Sequence, residues 1–213
     1  MDLSPIDHLG AVRRELTTVE RDGVELRRLI VERTYPAPIG EVWDALTNPE
    51  RIPRWFLPVS GDLRPGGRYQ LEGNAGGTVL ACDPPRELHV TWEYGGDVSW
   101  LGVRLTDSDT GPGTRLVLEH DAPVDPQRWA QFGPGAVGLG WELALRALSE
   151  HVTTGEAVDP AAAAAWAASP AGVAFLTGCS DAWAQAGIRA GEDAEQAIAA
   201  AARCLAAYTR PEG

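Results

Sequence analysis

Residues 87–121 have the sequence ELHVTWEYGGDVSWLGVRLTDSDTGPGTRLVLEHD. Apolar and polar side chains alternate in three segments of this stretch, as they do in antiparallel strands that bury one face. Gly95-Gly96 separates the first two segments and is typical of a tight hairpin turn, and a longer turn over residues 107–113 separates the last two. The alternation predicts three consecutive strands whose apolar faces lie on the same side of one antiparallel sheet.

Further strands and two short helices are predicted on the N-terminal side of this stretch. Turn residues recur about every 8 to 12 positions there, which is the spacing of antiparallel strands. Apolar residues at helical spacing follow Pro38 and stop at Asn48-Pro49. We expect strands over residues 24–35, 68–73 and 78–82, and helices over residues 39–46 and 50–55.

On the C-terminal side, residues 136–152 form the longest predicted helix. Glu142 and Arg146 lie on one of its faces at the spacing of a favourable ion pair. Its apolar stripe consists of Val137, Trp141, Ala144, Leu145, Leu148 and Val152. One long amphipathic helix over one face of a curved antiparallel sheet indicates the α+β class.

The two ends of the chain are predicted to add helices to this unit. Residues 153–213 hold 22 of the 32 alanines, and we expect helices over residues 160–168, 171–186 and 192–208. This extension should dock on the sheet domain, or form the surface of a homodimer, through its large apolar side chains, which are Trp166, Phe175, Trp183 and Tyr208. Helical spacing over residues 4–17 predicts a helix at the other end.

The expected organisation therefore has three parts. They are an N-terminal helix within residues 1–20, a sheet domain over residues 21–152 and a helical C-terminal extension over residues 153–213.

Charge and cysteine content limit the partners that we expect. The chain has 18 basic and 30 acidic residues and a net charge of −12, which repels phosphate backbones and anionic lipid head groups. We therefore expect neither nucleic acid nor a membrane as a partner. Cys82, Cys179 and Cys204 have the spacing of neither a disulfide framework nor a zinc site, and no two histidines have the spacing of metal ligands. We expect a cytoplasmic protein without metal or cofactor.

Short motifs follow one another over residues 24–152. They are Glu32-Arg33-Thr34, the run from Val42-Trp43-Asp44-Ala45 to Leu46-Thr47-Asn48-Pro49-Glu50, Trp55-Phe56, Arg64-Pro65-Gly66-Gly67, Asp83-Pro84-Pro85-Arg86-Glu87-Leu88, Thr91-Trp92, Gly113-Thr114-Arg115-Leu116, His120 and Gly140-Trp141. In this order they resemble the activator of heat-shock protein 90 ATPase homologue-like family of the START-related, Bet v 1-like (SRPBCC) superfamily.

The resemblance implies a helix-grip fold. In this fold a curved seven-stranded antiparallel sheet wraps around the long C-terminal helix, and two short helices lie between the first and second strands. The extension beyond residue 153 resembles one found in a bacterial subset of these proteins.

A helix-grip fold implies a cavity between the sheet and the long helix. Strand alternation and the helical stripe predict its lining, which is Trp55, Phe56, Tyr69, Leu71, Trp92, Leu101, Val103, Leu118, His120, Trp141 and Leu145. An apolar pocket with few polar groups is the usual site of a small molecule. The same side chains would equally fill a closed core.

Two features of the sequence have the residue types of a catalytic or cofactor site. His120 is the one candidate general base in the predicted lining, but no acid or nucleophile is placed to work with it. We therefore favour a buried histidine held by hydrogen bonds and assign no catalytic residue. The run Gly133-Pro134-Gly135-Ala136-Val137-Gly138 matches GxGxxG without the strand of a βαβ unit, which favours a flexible helix entry over a dinucleotide site.

Three functions stay open at this point. The favoured one is a non-catalytic protein that binds a small hydrophobic or aromatic molecule in the cavity. The superfamily resemblance implies the second, a polyketide cyclase- or aromatase-like enzyme. The third is a co-chaperone-like protein-interaction module, which the family name suggests.

Overall fold

The computed structural model describes residues 9–109 and 111–210. Its strands are β1 (Val12–Arg21), β2 (Val24–Tyr35), β3 (Val59–Gly61), β4 (Arg68–Leu71), β5 (Gly76–Asp83), β6 (Glu87–Tyr94), β7 (Asp97–Asp107) and β8 (Thr114–Ala122). Its helices are α1 (Ile39–Thr47), a short 3₁₀ helix (Ile52–Arg54), α2 (Pro126–Phe132), α3 (Gly135–Thr154), α4 (Pro160–Ala168), α5 (Pro170–Arg189) and α6 (Ala194–Tyr208). The strands form one antiparallel sheet in the order β1-β2-β8-β7-β6-β5-β4-β3.

The predicted alternation is confirmed in the middle of this sheet. Leu101 of β7 lies opposite His120 of β8, and Val103 lies opposite Leu118. α3 crosses the face that these side chains form, and its buried residues join the main core, namely Trp141, Ala144, Leu145 and Leu148. The α+β helix-grip architecture expected from the sequence is therefore confirmed.

The N-terminal helix predicted within residues 1–20 is wrong from Val12 onward, because Val12–Arg21 form β1, whereas Leu9 and Gly10 are helical. Residues 1–8 lie outside the described residues. β1 pairs with β2 along its whole length, so the sheet has eight strands instead of the seven expected. Val12 and Leu16 are both buried, and their spacing fits a helix as well as a strand. Arg14 lies between them on the same face, and its charge interrupts the apolar alternation that would have indicated a strand.

Arg14 is buried because it forms an ion pair with Glu142 of α3. Its Nε and Nη2 atoms donate to the two carboxylate oxygens, and Nη2 lies 3.1 Å from Oε2. The two side chains are only 6% and 1% exposed. The predicted pair between Glu142 and Arg146 is therefore wrong, and Arg146 lies 3.6 Å from Glu150 instead. The buried pair joins the edge strand β1 to the long helix.

The C-terminal extension packs against β1 and α3. It forms a second apolar core with the long helix, whose buried members are Leu139, Phe175, Leu176, Cys179 and Cys204. Phe175 and Trp183 are 1% and 0% exposed, as the predicted docking requires, and Trp166 is partly buried against the second core. Tyr208 is 38% exposed, and its hydroxyl donates to the carbonyl of Ala136 at 3.2 Å. The predicted homodimer stays a prediction.

The GxGxxG match is explained by this docking. A Cβ atom at Gly138 would lie 2.5 Å from the indole ring of Trp183, and one at Gly135 would lie 3.2 Å from Cys204 Sγ. Gly133 has a φ of 58° where α2 ends, a backbone conformation that glycine adopts without strain. These glycines let α5 and α6 approach α3 closely.

Within residues 9–109 and 111–210, no single helix is long and apolar enough to cross a membrane. α4 and α5 meet the criterion only together, across a bend of 75°.

We expect Arg14→Met to lower the free energy of unfolding by about 3–5 kcal/mol, because it leaves the Glu142 carboxylate buried without its partner. Arg13→Met is the matched control, since the neighbouring side chain is 68% exposed and exposed ion pairs contribute about 0–1 kcal/mol. Urea denaturation at pH 7 measures both losses. The double change Arg14→Met with Glu142→Leu should recover much of the loss. Equally small losses in Arg14→Met and Arg13→Met would contradict this role of the ion pair.

Candidate functional site

A cavity of about 150 Å³ lies between the sheet and α3. Its walls come from α1, the 3₁₀ helix and the residues after it, strands β3 to β8, and α3. None of the described side chains that line it is Asp, Glu, Arg, Lys or His. Apolar cavities of this size admit a molecule the size of benzene.

The structure brings together ten of the eleven side chains predicted to line the cavity. These ten are Trp55, Phe56, Tyr69, Leu71, Trp92, Leu101, Val103, Leu118, Trp141 and Leu145. His120 is the exception, since it is not part of the lining. Whether the ten bind a ligand stays a prediction.

Sequence reasoning missed other lining residues, which are Leu46, Thr47, Ile52, Val59, Leu63, Val79, Cys82, Leu88, Val90, Leu116 and Ala144. Several could have been found, because Leu88 and Val90 alternate with Trp92 along β6. Ile52 and Leu63 lie outside the strands and α-helices, where no periodicity indicates which way a side chain points.

Aromatic rings form much of one wall. Trp92 and Trp141 are 5.2 Å apart between centroids and tilted by 60°. Phe56 stacks on Trp141 at 6.5 Å, and Trp55 stacks on Phe56 at 5.4 Å. Such contacts add about 0.5–1.5 kcal/mol per pair beyond the area they bury, so the rings stabilise one another around the cavity.

Two arginines attach the 3₁₀ helix to the end of α3. Arg51 Nη2 lies 3.0 Å from Nε2 of the buried His151. Arg54 Nη2 donates to the carbonyl of Gly155 at 2.7 Å, and the N–H of Val158 donates to the carbonyl of Arg54 at 2.7 Å. The wall that carries Trp55 and Phe56 is thereby held against the segment that leads into the extension.

His120 lies behind Trp141 in a chain of hydrogen bonds. The indole N–H of Trp141 donates to His120 Nδ1 at 2.9 Å, so the proton of the neutral imidazole is on Nε2. Nε2 lies 2.8 Å from Ser99 Oγ, which donates to the carbonyl of Trp92 at 3.0 Å. Both ring nitrogens are therefore engaged.

This arrangement corrects the prediction that His120 lines the cavity. Burial lowers the pKa of His120 to about 4, although nearby Asp121 acts in the opposite direction. The imidazole is neutral at pH 7, and its one unprotonated nitrogen already accepts a hydrogen bond from Trp141. A base needs a free lone pair directed at its substrate, so the geometry supports a positioning role for His120 and no general-base role.

The remaining polar groups of the lining also have defined states. Trp55 Nε1 donates to the carbonyl of Ala45 at 2.8 Å, and Tyr69 Oη donates to that of Thr91 at 2.7 Å. Burial raises the pKa of the Cys82 thiol, and the adjacent Asp83 raises it further. A thiol with a raised pKa is a poor nucleophile at neutral pH.

In the part of the chain that the structure describes, no group of three or more His, Cys, Asp or Glu side chains is arranged to hold a metal ion.

Comparison with known proteins places the chain among helix-grip proteins. The family model described as Activator of Hsp90 ATPase homolog 1-like protein matches residues 36–153. The crystal structure of CalU16 from Micromonospora echinospora is 36% identical, covers 83% of this chain and 98% of its own, and has a TM-score of 0.65. The solution NMR structure of CalU16 is 34% identical, covers 85% and 97%, and has a TM-score of 0.67. The similarity to CalU16 thus extends beyond residues 36–153.

A more distant neighbour supports the fold alone. DynU16, described as a protein in the dynemicin biosynthetic locus, is 24% identical, covers 61% of this chain and 48% of its own, and has a TM-score of 0.53. No curated protein matches the chain significantly.

We expect the stability of the protein to fall as the pH decreases from about 6.5 to about 4. The folded pKa of His120 lies below the unfolded value of 6.5, so its favourable contribution is complete above about pH 6.5 and is lost as the pH falls through the folded pKa. At about 1.4 kcal/mol per pH unit the loss reaches about 3 kcal/mol. Chemical denaturation at half-unit intervals of pH measures it.

His120→Asn should flatten this dependence between about pH 5 and 6.5, where carboxylates contribute little. His89→Asn is the control, because the His89 side chain is 41% exposed and should leave the profile unchanged. A His120→Asn profile parallel to that of the wild type would contradict the burial of a neutral imidazole.

Proposed function

The chain belongs to the Activator of Hsp90 ATPase homolog 1-like family of helix-grip proteins, and on this basis we propose that it binds a small hydrophobic molecule between the sheet and α3 without catalysing a reaction on it. The observation that carries the proposal is the unfilled apolar volume of about 150 Å³. The surrounding side chains come from every layer of the fold, so a bound molecule would contact the sheet, the long helix and the 3₁₀ helix at once.

The energetic cost of this void supports a binding role. An unfilled apolar volume of this size leaves the side chains around it without dispersion contacts on that side. A bound apolar molecule would restore the missing dispersion contacts and stabilise the folded state by mass action. A self-filled core would need only a larger side chain at a position such as Ala144, which lines the cavity.

The state of the polar groups supports binding without catalysis. His120 has both nitrogens in hydrogen bonds, and the Cys82 pKa is raised. A cyclase-like reaction would need a base or acid with a free lone pair or proton directed at the substrate. The proposal therefore assigns binding residues and no catalytic residue.

We expect toluene to bind in the cavity of the wild-type protein and to shift the methyl resonances of the lining residues Leu71, Val79 and Val103. Ala144→Leu adds three carbon atoms inside the cavity and should weaken toluene binding at least about tenfold, because the volume is then occupied. Methyl NMR titration measures both affinities, and thermal melting reports the accompanying change in stability.

Ala147→Leu is the matched control, since Ala147 lies on the same helix outside the lining and should leave toluene binding unchanged. Absence of toluene binding to the folded wild-type protein, or equal binding to wild type and Ala144→Leu, would contradict the proposal.

A further inference from the structure

We infer that the cavity selects a neutral ligand that inserts a single aromatic ring. The inference rests on the proposed function and adds the chemical class of the ligand. Size, ring contacts and polar groups each support it independently.

The size of the cavity sets the first limit. A volume of about 150 Å³ matches that of apolar cavities in which a molecule the size of benzene is held. Two parts of the wall are held in place by hydrogen bonds. Trp141 donates to His120, and the 3₁₀ helix is hydrogen-bonded to the segment after α3. A single ring therefore fits without a change in the fold.

The arrangement of the tryptophans favours an aromatic ring. Trp92 and Trp141 are tilted by 60° at 5.2 Å, so a planar molecule against them meets one ring face and one ring edge. Aromatic rings prefer offset-stacked or edge-to-face contacts, and this pair offers both. Phe56, stacked on Trp141, extends the same surface.

The absence of charge in the lining excludes ionic ligands. None of the described side chains around the cavity is acidic, basic or a histidine. A carboxylate or ammonium group placed there would lose its hydration without gaining a counter-ion. The attraction of a cation to the tryptophan rings does not replace that hydration when no carboxylate is present.

Most polar groups of the lining already have partners, which limits hydrogen bonding with a ligand. The donors of Trp55, Tyr69 and Trp141 are bonded within the protein. Thr47 likewise donates to the carbonyl of Trp43 at 2.8 Å. Polar groups on a ligand would therefore stay unpaired at a cost in affinity.

The test compares three probes of nearly equal size on the full-length protein at pH 7, namely toluene, benzoate and benzylammonium. We expect toluene to bind at least about 100-fold more tightly than either ion, because an unpaired buried charge is strongly disfavoured. Methyl NMR titration measures all three. Benzoate or benzylammonium affinity within tenfold of that of toluene would overturn the inference while leaving the proposed function intact. Failure of toluene itself to bind would contradict the proposed function.

A variant that adds a cation tests whether charge is the selecting property. Leu88 is half-buried and lines the cavity, so Leu88→Arg should raise the affinity for benzoate at least about tenfold by pairing with its carboxylate. His89→Arg places the same charge on the opposite face of β6 and is the control. An equal rise in both variants would overturn the inference, because it would show an effect of net charge instead of the lining. If Leu88→Arg does not fold, the comparison of toluene, benzoate and benzylammonium on the wild-type protein tests the inference.

Discussion

A buried indole N–H is costly to leave without an acceptor, and in this protein the N–H of Trp141 donates to His120. This requirement fixes the imidazole as the neutral form with its proton on Nε2, which in turn brings in Ser99 and the carbonyl of Trp92. Trp92 and Trp141, two of the three tryptophans that line the cavity, are thus joined through one chain of hydrogen bonds. These hydrogen bonds set the distance between α3 and the sheet and hold Trp141 in the cavity wall. Trp141 cannot rotate to fill the cavity without breaking its buried hydrogen bond to His120.

The long helix is held at other points as well, and this explains how an apolar void persists. Glu142 joins it to the edge strand β1 through Arg14, and Trp183 of the extension packs against Gly138. At its C-terminal end, His151 contacts Arg51 and Gly155 contacts Arg54. A helix anchored to the sheet edge, to the extension and to the 3₁₀ helix is not free to move inward and close the cavity. We regard the extension as part of the support of the proposed binding site for this reason.

Sequence reasoning was successful where periodicity carries the information. The strands around Gly95-Gly96, the helix that carries Trp141 and ten lining residues follow from alternation or helical spacing combined with the family resemblance. It failed where a long-range contact decides the outcome. β1 was missed because Arg14 occupies an inward position that only Glu142, 128 residues away, makes favourable. His120 was placed in the lining because alternation indicates a face but not whether a ring from α3 covers it. Ile52 and Leu63 lie in segments without a repeating pattern.

The central claim is that an apolar volume exists beside Trp92, Trp141 and Phe56 and is available to a ligand. A crystal structure of the full-length protein under xenon pressure tests it directly, since xenon enters apolar cavities of this size without forming hydrogen bonds. The account predicts xenon density between the sheet and α3, with the bond from Trp141 to His120 unchanged. Absence of xenon there, with Trp141 or Phe56 rotated into the volume, would contradict it.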